Sequence, residues 1–110
     1  MTRGSILWVN LEDADPPEMG KTRPAIVVSN SEQNALLDTV VVVPLSSRSP
    51  AIWPLRLELV MRSSKLRKKS YAVVPGMRQV DKRRLLGSLG RAPDDFLEEL
   101  TKALTTYLGE

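Results

Sequence analysis

Hydrophobic and polar positions divide the chain into several short strand-like runs followed by one longer helical run. Residues 5–11, Ser-Ile-Leu-Trp-Val-Asn-Leu, read as a strand that stops at the acidic, turn-rich stretch 12–20, where a loop belongs. A second strand is expected over residues 24–29, with Pro24 tolerated as its first residue, and residues 30–37 leave room for one short helical turn. Residues 39–45 are almost unbroken β-branched sequence, as in a strand buried on both faces, and this strand should form the centre of the sheet. Over residues 53–60 the apolar Trp53, Leu55, Leu57 and Leu59 alternate with polar positions including Arg56 and Glu58, which predicts a half-buried strand. Residues 71–74 supply another, with shorter ones over 77–80 and 85–89.

The period then changes. Leu97, Leu100, Leu104 and Leu108 fall on one helical face with Phe96, Ala103 and Tyr107 alongside. Pro93 suits the first turn, Asp94 and Asp95 complement the positive end of the helix dipole, and Gly109 can close the helix. The fold expected is mostly β, an antiparallel barrel-like sheet with a C-terminal helix. At 110 residues and 42% hydrophobic, the chain should form a single domain over 1–110. A domain of this size leaves apolar surface that a dimer could cover.

Composition narrows the chemistry sharply. Cysteine and histidine are both absent, so there is no disulfide, no thiolate zinc site and no imidazole base. Catalysis would have to run on arginine, lysine, carboxylates, hydroxyls or backbone amides, and no metal or cofactor is expected. No signal peptide or membrane span is evident, which predicts a cytoplasmic protein. A net charge of +3 and a pI near 9.5 favour anionic partners.

Three segments could carry chemistry. In Gly20-Lys21-Thr22-Arg23-Pro24 the residue before proline is held extended, so Arg23 can project from a rigid edge and grip a phosphate with two donors. The plainer alternative is a surface arginine paired with Glu18 or Asp15. In Leu45-Ser46-Ser47-Arg48-Ser49, Ser46 is the first position past the apolar run, where a rigid sheet can hold a hydroxyl still. The alternative is a serine that satisfies a turn, and without histidine a nucleophilic role is disfavoured. Between residues 61 and 70 lie Arg62, Lys65, Arg67, Lys68 and Lys69 with no acid, either a solvated hairpin or a basic finger for RNA backbone. Arg78, Lys82, Arg83, Arg84 and Arg91 extend the cationic content toward one basic face.

Taken in order, Arg3 to Leu11, Glu18 to Ser29, Val42 to Arg48 and Met77 to Leu85 resemble the successive blocks of MazF/PemK toxins, with Arg23-Pro24 the most specific part. The resemblance implies an SH3-like small barrel that forms a homodimer, cleaves single-stranded RNA at short motifs without metal, and is silenced by a cognate antitoxin. It implies Arg23 as the catalytic arginine, Ser46 at the position of a catalytic Thr or Ser, and Glu18 as an acidic residue of the preceding loop. Lys21, Thr22, Ser47, Arg48, Lys65, Arg67, Lys68 and Arg78 are the expected RNA contacts. Ser5, Met19 and Pro75-Gly76 depart from the family pattern along the expected RNA groove and bear on the cut-site sequence. The competing readings are a CcdB-like gyrase inhibitor without catalysis, and a basic SH3-like module that binds RNA uncut.

Overall fold

The β-branched run becomes the most connected strand of the computed structural model, which describes residues 2–11, 22–61 and 69–110. The strands are β1 (Ser5–Asn10), β2 (Thr22–Val27), β3 (Thr39–Ser46), β4 (Arg56–Leu59), β5 (Ser70–Val73), β6 (Arg78–Asp81) and β7 (Leu85–Arg91). The α-helices among the described residues are α1 (Ser31–Leu36) and α2 (Asp94–Leu108). All pairings are antiparallel, in the order β4-β5-β3-β2-β1-β7. β2 lies along one edge of β3, while β6 pairs residues 39–42 and β5 pairs residues 45–46 of that strand.

Because successive side chains of a strand point to opposite faces, β3 serves two cores. Val40 and Val42 join Leu7, Val9, Ala25, Val27 and Val80 in one. Val43 and Leu45 join Ile6, Ile26, Ala72 and the α2 residues Phe96, Leu97, Leu100 and Ala103 in the other. The expectation of burial on both faces of this strand therefore holds.

Local chemistry explains the element boundaries. Asn30 caps α1 by accepting from the backbone N–H groups of Glu32 (2.8 Å) and Gln33 (3.3 Å). Asn34, buried on α1, donates Nδ2 to the Ser29 carbonyl at 3.0 Å, and Ser29 Oγ accepts from Val41 N at 3.0 Å, tying the helix to β3. β2 starts at Thr22, two residues before the expected Pro24, and its ladder with β3 begins only at Ala25, past the proline that has no N–H to offer.

The strand expected over 53–60 is shorter than its alternation implies. Residues 52–55 form a turn in which Ile52 O accepts from Leu55 N and Arg56 N, both at 2.7 Å, and Pro54 removes a ladder donor inside the run. Trp53 and Leu55 are consequently exposed, while Leu57 and Leu59 reach the core. α2 ends where its periodicity predicts, with Gly109 as C-cap, though its last residues Tyr107 and Leu108 are exposed and not buried with the rest of the stripe.

Gly4 links the N-terminus to both β2 and the start of α2, its N–H donating to Val27 O (2.8 Å) and its carbonyl accepting from Ala92 N (2.9 Å). Its φ of +96° is reserved for glycine, and a Cβ there would stand 2.8 Å from Leu97 Cδ1. Gly4→Ala should therefore lower stability by about 2 kcal/mol, read as a shift of the urea midpoint at unchanged m-value.

Candidate active site

Register brings the expected residues together. On one side of β2, Val9 pairs with Arg23 and Asn10 with Thr22. On the other, Ala25 pairs with Pro44 and Val27 with Val42, so the same register carried two residues further sets Arg23 opposite Ser46. Ser46 in turn pairs with Tyr71, and Tyr71 with Glu58. Directly opposed residues share a face, so Ser46, Tyr71 and Glu58 form a row across three strands at about 4.8 Å per step, and the β2–β3 register, continued past Ala25, reaches Arg23 at its end. The row continues the face of Ala25, Val27 and Val42, just past the end of the first core.

Each member has a distinct environment. Arg23 is exposed, and among the described residues its guanidinium makes no hydrogen bond or ion pair. Ser46 is half-buried, and its Oγ accepts from Arg48 N at 3.0 Å. The hydroxyl thus closes the turn that the plainer reading expects and still has its O–H to donate. Tyr71 is buried beside it. Glu58 accepts from Lys69 Nζ at 3.1 Å, and this hydrogen bond, followed by the Glu58 charge, raises the Lys69 pKa above its ordinary value.

The other expected contacts separate into three groups. Thr22, Ser47 and Arg48 are exposed at the same ends of β2 and β3 as Arg23 and Ser46. Arg78, paired with Val42, is half-buried and donates Nη1 to the Leu11 carbonyl at 3.1 Å; Arg84 does the same to the Asn10 carbonyl at 3.4 Å. At least one donor of each is thus committed to holding the end of β1, the strand against which Thr22 and Arg23 are paired. Glu18, Lys21, Lys65, Arg67 and Lys68 lie outside the described residues.

Sequence reasoning treated Tyr71 and Glu58 only as strand residues. Their place beside Ser46 follows from cross-strand register, for which the local pattern carries no signal. Arg3, part of the first family block, braces the fold, with Nε donating to Val28 O at 3.3 Å and Nη2 to Thr101 Oγ1. It lines a groove of about 1190 Å³ between the N-terminus, α1 and α2, and no member of the row lines that groove. Among the described residues no three acidic side chains group as metal ligands would, and no helix is long and apolar enough to cross a membrane.

The arrangement supplies a cation and a hydroxyl on one rigid face, suited to an anionic, tetrahedral centre. Comparison with known proteins points the same way. Residues 2–108 match the family model described as PemK-like, MazF-like toxin of type II toxin-antitoxin system. Endoribonuclease MazF9 of Mycobacterium tuberculosis is 32% identical over 113 residues, covering 98% of this chain and 96% of that protein. An endoribonuclease in complex with its cognate antitoxin, from a mycobacterial species, superposes with a TM-score of 0.82 at 24% identity, over 99% of this chain and 95% of that one. A MazE-MazF structure from Deinococcus radiodurans gives 0.77 at 26% identity, over 99% and 95%.

Proposed function

This chain belongs to the PemK-like, MazF-like toxins of type II toxin–antitoxin systems, and we propose that it cleaves single-stranded RNA with Arg23 and Ser46 as its catalytic residues. It is an endoribonuclease toxin whose partners are RNA and an antitoxin. The observation that supports the assignment of residues is the β2–β3 register, Ala25 with Pro44 and Val27 with Val42, which continued two residues further brings Arg23 toward Ser46.

In this mechanism the ribose 2′-OH attacks the adjacent phosphate, the P–O5′ bond breaks, and the products are a 2′,3′-cyclic phosphate and a 5′-OH end. Arg23 binds the non-bridging oxygens and stabilises the charge that grows there, and the Ser46 O–H donates to the same centre. A guanidinium, charged at any working pH, is a poor proton acceptor, so Glu18, at the family's acidic loop position, is the candidate base. Lys21, Thr22, Ser47, Arg48, Lys65, Arg67, Lys68 and Arg78 supply or frame contacts to the strand. The enzyme works in the cytoplasm as a homodimer, and the acidic segment of its antitoxin lies over the same basic face and competes with RNA.

Incubating the purified protein with a mixed-sequence RNA in EDTA tests the reading. Fragments with 2′,3′-cyclic phosphate ends are expected, and a DNA of the same sequence should survive because it lacks the nucleophile. Intact RNA under these conditions would sink the metal-free mechanism. Ser46→Ala should lower the cleavage rate about fivefold, less than loss of a cation would, since a neutral hydrogen bond is worth about 1 kcal/mol. A silent Ser46→Ala beside a damaging Ser47→Ala would move the assignment one residue along the strand.

A further inference from the structure

A second feature of this face is an arginine without a partner. Arg56 opens β4, half-buried, and its Nε is buried with no hydrogen-bond partner. Among the described residues its guanidinium makes no ion pair either. The buried Nε leaves the rest of the guanidinium to meet a ligand, and in the free protein that ligand competes with no internal partner. Arg56 lines a cavity of about 260 Å³ with Trp53, Leu57, Glu58, Phe96 and Glu99.

The walls define what fits. Trp53 offers aromatic surface, 52% exposed and open to stacking, while Phe96 belongs to the second core and only lines the wall. Two carboxylates stand beside the one guanidinium, each with a lysine on its solvent side, Lys69 at 3.1 Å from Glu58 and Lys102 at 3.9 Å from Glu99. A free phosphate or an acidic peptide would meet two like charges at the cavity. A neutral, flat ligand with acceptors on one edge and donors on the next meets none. Guanine has that pattern: O6 and N7 accept, as arginine requires, and N1–H and N2–H donate side by side, as a carboxylate requires. The other bases lack the paired donors.

Resting on the ribonuclease reading, we infer that this cavity is a base-reading subsite that takes a guanine of the RNA substrate, stacked on Trp53, with O6 or N7 accepting from Arg56 and the N1–H and N2–H edge on Glu58 or Glu99. Glu58 stands in the same row as Ser46, two strands away or about 10 Å. β4 is the edge strand, so an RNA strand that follows the row past Glu58 reaches the cavity by rounding that edge toward Phe96 and Glu99 of α2. The guanine would sit at a fixed offset from the cleaved bond, and Ser46 and Arg23 would act without regard to its identity.

Two measurements on the full chain test this, one of them independent of cleavage. Titrating guanosine should quench the Trp53 fluorescence, isolated by difference from Trp53→Phe, at a concentration at least about tenfold lower than adenosine or uridine requires. Arg56→Met and Arg56→Lys should both erase that preference while keeping the wild-type circular dichroism. Cutting a randomised RNA pool and sequencing the ends should show guanine enriched at one fixed position for the wild type. Arg56→Met should lose that enrichment and keep the preferences at other positions. Equal quenching by all nucleosides, quenching by an acidic peptide in place of guanosine, or a guanine preference unchanged in Arg56→Met would overturn the subsite. A pool left uncut by the wild type would instead count against the ribonuclease reading, and the nucleoside titration would still decide the cavity.

Discussion

Arg23→Ala should reduce RNA cleavage by about a hundredfold or more and abolish growth inhibition, with no loss of fold. The expectation rests on where the side chain stands. Arg23 is exposed at the end of β2, its backbone paired with Val9, and it contributes to neither core. Truncating it removes no packing. It does remove the cation that meets the developing charge on the phosphate, an interaction worth about 3 kcal/mol or more in the transition state. Single-turnover cleavage of a fixed RNA, beside a thermal melt, separates the two effects. Arg23→Lys should recover only part of the rate, because an ammonium keeps the charge but loses the two-pronged geometry. Near-full activity in Arg23→Ala would remove this residue from the active site.

Leu100→Ala acts on the opposite property, lowering stability by about 3 kcal/mol while sparing the catalytic row. Leu100 is 1% exposed, held between the sheet and the middle of α2 among Ile6, Val43, Leu45 and Ala72 of the second core. Removing its branched end strips buried apolar surface and leaves a cavity that two packed layers cannot collapse to fill. Urea unfolding followed by circular dichroism should show the midpoint falling at constant m-value, with cleavage by the remaining folded protein nearly unchanged. A loss below about 1 kcal/mol would mean that α2 contributes little to the core that its periodicity identifies. Leu108→Ala, at a position 65% exposed, is the matched control and should change stability little.

That contrast between two leucines of one helical stripe shows how far sequence reasoning reaches. Periodicity alone located α2, the central β3, the strands around it and their punctuation, because burial repeats every 3.6 residues in a helix and every two in a strand whatever the rest of the chain does. The absence of histidine and cysteine bounded the chemistry, and the Arg23-Pro24 block pointed to the family before any contact was visible. Where burial along each stripe stops was not legible: Trp53, Leu55, Tyr107 and Leu108 carry the right residue types but are exposed. Nor could the sequence place Tyr71 and Glu58 beside Ser46, or commit Arg78 and Arg84 to the carbonyls of Leu11 and Asn10. Local composition determines which segments want a buried face. Only tertiary pairing, with a register in which one residue of slip would turn every side chain to the other face, decides which residues from distant strands share one.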